Sequence, residues 1–176
     1  MKKITVSLMC FFLLFIVHSG YGQFNLDTFF PVNTATHTAT QSGSWNVAST
    51  WGTDGVPDEG AIVYIPQGIT VTYDTFSNTH IFAIRVDGGF TCQETNQNQT
   101  TQVVFDTFVS GMMSEVKFLA NNATDGKINV NIEAYDISNP PASWNAAAIS
   151  HFTDNAPVKD ISVSASGDDR YNTYDE

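Results

Sequence analysis

The sequence predicts an all-β chain and, within that class, a right-handed parallel β-helix of short rungs, with a β-sandwich as the alternative. Three observations lead there. Glycines stand where short apolar runs stop, at Gly60, Gly68 and Gly88-Gly89, so the chain turns sharply between strand-like pieces. The centres of those runs recur at a steady interval: 21 residues separate Val63 from Ile84, 21 separate Ile84 from Phe105, and 23 separate Phe105 from Ile128. Periods of about 20–25 residues suit a solenoid in which each coil adds one rung. No stretch sustains the 3.6-residue period of a long amphipathic helix. Short strands at spacings of about 8–12 residues, also present, are what keep the sandwich in view.

Met1, Lys2 and Lys3 give a positive start, Ile4 to Val17 is an almost unbroken apolar run, and small residues flank Tyr21. Residues 1–22 read as a secretory signal peptide, cut before Gln23. The apolar run is shorter than the roughly 20 residues a membrane-spanning helix needs, so no membrane span is expected. Residues 23–44 read as a polar linker: Asn33 to Ser44 is almost entirely Thr, Ser, Ala, Asn, Gln, His and Gly, and at most a loosely held first strand. The domain proper is expected at 45–165, and 166–176 as an acidic polar tail.

Inside the domain, Ile69, Val71 and Tyr73 alternate with Thr70, Thr72 and Asp74, and Ile128, Val130 and Ile132 alternate with Asn129, Asn131 and Glu133. Each set puts one face inward. Ile81 to Val86 and Thr101 to Val109 are apolar on both faces over much of their length, as expected of strands covered on both sides. Val116 to Leu119 and Ile161 to Val163 add two short runs. The one helix expected lies within Ser143 to Ser150, with Ser143 as its N-cap.

Loss of Lys2 and Lys3 leaves 7 − 2 = 5 basic residues against 18 acidic ones, a formal charge of 5 − 18 = −13. Such a surface repels phosphate backbones, so nucleic acid is excluded as a partner. Polyanionic glycans are disfavoured too, because Arg85, Lys117, Lys127, Lys159 and Arg170 are scattered. Cys92 is the one cysteine after the signal, so no disulfide can form within the chain and core burial must supply the stability.

Trp45, Trp51-Gly52, Gly55-Val56-Pro57, Gly60, the run Ile62 to Pro66, Gly68, Val71, Asp74 and then Ile84 to Gly88 are similar to the opening half of the G-eight domain, the extracellular module named for its eight glycines. Ala148 to His151 resembles the segment that follows that family's later strands. The likeness covers about Ser44 to His151; Gly111 to Ser114 stands where the family shows a glycine-rich turn, and Phe152 where it has a glycine. The resemblance implies an extracellular module that forms, or leads into, a parallel β-helix. Its animal members are associated with hyaluronan turnover, a ligand that this chain's charge disfavours.

The chemistry-bearing residues are few. Asp54, Asp58 and Glu59, in the turn around Pro57, are candidates for paired carboxylates or for calcium ligation, although Asp, Pro and Gly are also what tight turns are made of. Asn121 to Gly126 lacks the carboxylate at its twelfth position that an EF-hand needs. His80 and His151 are the histidines of the domain, and His151 is a candidate site residue. Trp144, after Asn139-Pro140-Pro141, is expected in a surface loop as a sugar contact, whereas Trp45 and Trp51 are expected to be buried at the solenoid's end. No zinc-protease helix, nucleophile elbow or phosphate loop occurs. The expectation is a secreted, non-catalytic module binding or presenting a neutral polysaccharide or glycan, with no cofactor except calcium as a weak option. The alternatives are a glycan-processing enzyme using the acidic loop, and a structural cap for further domains of a longer surface chain.

Overall fold

The computed structural model describes residues 25–94, 100–119 and 127–154. The signal peptide, the Asn121 to Gly126 turn, the run Ile161 to Val163 and the acidic tail lie outside those residues. Among the described residues nine strands form two parallel sheets: His37–Thr38 (β1), Gly43–Ser44 (β2), Ile62–Ile65 (β3), Thr70–Tyr73 (β4), Phe76–Val86 (β5), Gly89–Gln93 (β6), Thr100–Ser110 (β7), Glu115–Leu119 (β8) and Lys127–Ile132 (β9). The odd strands stack in the order β1-β3-β5-β7-β9 and the even ones as β2-β4-β6-β8. The chain therefore visits the two sheets alternately, climbing one rung per visit, as a β-solenoid of about three turns. All the pairings are parallel, whereas a sandwich is built from antiparallel sheets. The sandwich alternative is thereby set aside.

The interior consists of columns of side chains in register. Val71 lies beneath Phe90 and Phe90 beneath Val116; Tyr73, Cys92 and Phe118 form the column beside them. On the facing sheet His37, Val63, Ile84 and Phe108 stack. Val63, Ile84, Val71, Phe90 and Cys92 are all fully buried, and each large apolar side chain so removed from water contributes about 1.5–3 kcal/mol. Burial pushes the Cys92 thiol up to about 12, with the Asp74 carboxylate adding to it. This thiol stays protonated and unreactive, as a small apolar residue of the core would.

The coil closes at its first end with aromatic side chains. Trp45 and Trp51 are 3% and 0% exposed, meet edge to face at 5.0 Å, and Trp51 Nε1 donates to the Trp45 carbonyl oxygen at 2.7 Å. The short helix Ala48–Trp51 that carries Trp51 ends at Gly52, whose φ of 64° is the left-handed region where glycine is favoured.

Of the two readings of residues 33–44, linker or first strand, the structure has strand within 37–44. That segment supplies β1 and β2, the first rung, with Ala39 and Thr34 each 1% exposed. The polar residues sit there because the rung is short and hydrogen-bonded by neighbours: Thr36 Oγ1 accepts from the Ile62 N–H at 2.9 Å, and Ser42 Oγ from the Thr70 N–H at 2.9 Å.

A second core lies on the outside of the first sheet. Phe30, Ile62, Phe82, Ala83, Trp144, Ala148 and Phe152 pack together there. The segment around Phe30 and the helix Ala146–Asp154 cover the outer faces of β3 and β5. That helix starts later than expected. Asn145, not Ser143, caps it, its Oδ1 accepting from the Ala148 N–H at 2.8 Å, and the helix runs on past Ser150. Arg85, projecting outward from β5, ties the cover down through Asp27, the Phe30 carbonyl oxygen at 2.6 Å and Asp87 at 2.9 Å.

Candidate functional site

Trp144 is not the open sugar platform its loop context predicts. It is 5% exposed, tilts against Phe82 at 4.7 Å, and its Nε1 donates to the Gly60 carbonyl oxygen at 2.8 Å. Following two prolines and preceding a helix, it is the plug of the outer core.

The acidic loop is structural in the same way. One Asp54 carboxylate oxygen accepts from the Thr38 N–H at 3.1 Å, and one Glu59 oxygen from the His80 N–H at 2.9 Å. The two carboxylates are thus spent on the backbones of two different strands, β1 and β5, with Asp58 exposed between them. Acid–base hydrolysis needs two carboxyls facing one cleft, and the groove described below has no carboxylate in its lining. Among the described residues no three His, Cys, Asp or Glu side chains are grouped so as to hold a metal ion. His151 Nε2 lies 3.0 Å from the Phe29 carbonyl oxygen, and His80 Nε2 lies 3.0 Å from that of Glu133. Both rings also pack edge-on against an aromatic neighbour, Phe152 and Tyr135 respectively. Of the five residues singled out from sequence, Asp54, Asp58 and Glu59 share one loop, Trp144 is bonded to that loop's Gly60, and His151 lies against the Phe29 carbonyl oxygen.

His37, read from sequence as a linker residue, starts the inner column beneath Val63 and is 6% exposed. Its Nδ1 is 2.9 Å from Thr36 Oγ1. Burial holds its imidazole below the usual 6.5, opposed by the nearby carboxylates of Asp58 and Asp54. The unfolded chain therefore takes up this proton first as pH falls. His37 contributes its stability in full above 6.5 and loses it on descent from 6.5 toward its lower folded value. The expected result is a urea midpoint that drops between pH 7.5 and pH 5.5, with a smaller drop in His37→Gln. Equal drops in the two proteins would show that other groups control this limb.

One cavity bordered by described residues lies where the chain crosses from the even-strand sheet to the odd one. It has a volume of about 190 Å³ and is lined by Trp45, Asn46, Val56, Pro57, Tyr73, Thr75, Phe76, Ser77, Thr79 and Ile81. Each wall has a local reason. Trp45 and Tyr73 are held ring to ring at 5.0 Å, and Tyr73 Oη donates to the Gln102 carbonyl oxygen at 2.7 Å, so both serve as rigid apolar backing. The other wall is the start of β5. Its pairing with β7 shifts register between Phe76 and His80, a bulge of the kind that re-aims side chains at strand ends.

That irregularity leaves Phe76 57% exposed at the groove's lip. Asn46, Thr75 and Thr79 bring amide and hydroxyl groups to the lining, and among the described residues their side chains have no hydrogen-bond partner. No charged side chain lines the groove. Its sequence signal is modest but present: one aromatic, Phe76, inside the otherwise polar stretch Asp74 to His80.

No family model, no curated protein and no solved structure matches the chain. Among the described residues no helix is long and apolar enough to cross a membrane.

Proposed function

We propose that this chain is an extracellular β-helical binding module, of the eight-glycine kind its sequence resembles, that holds a neutral carbohydrate in the groove between Trp45 and Phe76. The observation that carries the reading is the groove's composition: aromatic and aliphatic backing, an exposed Phe76 ring, spare hydroxyl and amide groups, and no charge. A sugar ring presents C–H faces that pack on an aromatic face and hydroxyls that exchange hydrogen bonds with Thr and Asn side chains. Apolar walls with a few polar groups to fix orientation are the usual make-up of a small-ligand site. An acidic chain with an uncharged groove selects against anionic ligands twice over.

Phe76→Ala is expected to weaken binding of neutral oligosaccharides about tenfold or more, since aromatic contacts dominate such sites, and to leave the melting temperature unchanged because the ring is exposed. Titration calorimetry of residues 23–176 against a panel of neutral oligosaccharides reads both. Absence of saturable binding across the panel, or affinity indifferent to Phe76, defeats the proposal.

A second reading has an observation of its own. The dry, aromatic-sealed first end at Trp45 and Trp51 is what a structural cap of a longer β-helix would require.

A further inference from the structure

The two ends of the coil are finished differently. In a parallel sheet, successive residues of an edge strand direct their backbone groups alternately into the sheet and out of it. At the first end the outward groups are already bonded. The Thr38 N–H goes to Asp54 at 3.1 Å, the Thr40 N–H to the Thr50 carbonyl oxygen at 2.8 Å, and the Ser44 carbonyl oxygen accepts from Thr50 Oγ1 at 2.9 Å. Side chains and loops placed over an edge in this way prevent another strand from adding there.

At the far end β8 and β9 are the last strands of their sheets. Among the described residues no side chain or loop bonds to their outer edges. Val116, Phe118, Ile128, Val130 and Ile132 pack against the inner core yet remain only half-buried, in contrast to the sealed Trp51 end. Stable burial of that rung needs another strand on top of it.

The sequence of β9 identifies the occupant. Lys127-Ile128-Asn129-Val130-Asn131-Ile132-Glu133 reads alike in both directions about Val130, except that its two ends carry opposite charges. Antiparallel pairing of two copies centred on Val130 sets Ile128 against Ile132, Asn129 against Asn131, and Lys127 against Glu133 of the partner subunit. The inward apolar residues then face inward residues, and the asparagines face each other on the outside. A two-fold interface demands this kind of self-complementarity, and directly opposed unlike charges favour a cross-strand pair. Lys127 and Glu133 are both exposed and available for it.

We infer that the chain dimerises through the outer edge of β9, each coil covering the open end of the other. The blocked first end stops the assembly at two copies and prevents a filament.

Sedimentation equilibrium of residues 23–176 over a range of concentrations tests this. A monomer–dimer equilibrium is expected. Lys127→Glu and Glu133→Lys, each confirmed as folded by circular dichroism, are each expected to weaken it about tenfold or more by opposing like charges. The double variant Lys127→Glu/Glu133→Lys is expected to restore it. That rescue is specific to self-pairing. A monomer at every concentration, a dimer indifferent to the single reversals, or reversals that the double variant does not rescue would each overturn the proposal. The last outcome would point instead to another segment of this chain, or to a different β-helical partner, on that edge.

Discussion

Trp144→Ala is expected to lower stability by about 3–5 kcal/mol, the range for truncating a large buried aromatic, and to leave carbohydrate affinity at the Trp45–Phe76 groove unchanged. For a chain of this length such a loss corresponds to a fall in melting temperature of roughly 10 °C. The indole fills the space between Phe82 and Phe152, at centroid distances of 4.7 and 5.7 Å, and its N–H satisfies the buried Gly60 carbonyl oxygen. Truncation empties the middle of the outer core and orphans that acceptor together. Trp144→Phe separates the two effects: it keeps most of the packing and loses only the hydrogen bond, a difference on the order of 1 kcal/mol. Thermal unfolding followed by circular dichroism measures both variants. If Trp144→Ala melts with the wild type, Trp144 is not the plug described, and its role as an accessible ligand contact returns.

Gly88→Ala is expected to cost about 3 kcal/mol or more, at or beyond the upper end of typical overpacking penalties. A Cβ at position 88 would stand 2.2 Å from the carbonyl oxygens of both Pro66 and Ile69. Those atoms belong to the β3–β4 turn of the coil below, so they cannot swing aside as a flexible side chain would. Gly88 itself is bonded to the coils on both sides: its N–H donates to the Ile65 carbonyl oxygen at 3.1 Å, and its carbonyl oxygen accepts from the Glu115 N–H at 2.9 Å. Gly55→Ala is the control. Gly55 has a φ of 78° but nothing within 4 Å of a built Cβ, so it costs only the left-handed backbone preference, roughly 1–2 kcal/mol. Urea unfolding of the two variants should rank them clearly. Equal costs would show that the coils can separate at that corner.

The rungs themselves were legible in the sequence from their spacing, and the inward face from alternation where one face of a strand is polar. Val63 and Ile84, 21 residues apart, are indeed register partners, and Val71 and Tyr73 point inward as their alternation requires. The spacing of strand centres does not give the register of the later rungs. Phe105 pairs with Ile81 rather than Ile84, and Ile132 rather than Ile128 lies on Phe105. From Ile81 to Val86 every residue is buried, by the inner core on one side and the outer core or the Arg85 tie on the other. Alternation therefore carries no information about which neighbour faces which. The outer core itself was illegible for a related reason. Phe30, Phe82, Trp144 and Phe152 lie far apart in the chain and show no shared period; only the return of both flanking segments to the same sheet face makes them neighbours.

By itself, then, the sequence determined the parallel coil, through the spacing of glycines and apolar runs, and the chain's net negative charge, through its excess of carboxylates. Both are sums over local or long-range properties that do not depend on exact placement. Tertiary structure alone decided which side chains are accessible. It buried Trp144 and exposed Phe76, used Asp54 and Glu59 to hold strand edges, turned residues 37–44 into the first rung, and made β9 the last strand of its sheet among the described residues. Accessibility depends on what the rest of the chain lays over a residue, and no local pattern of residues records that.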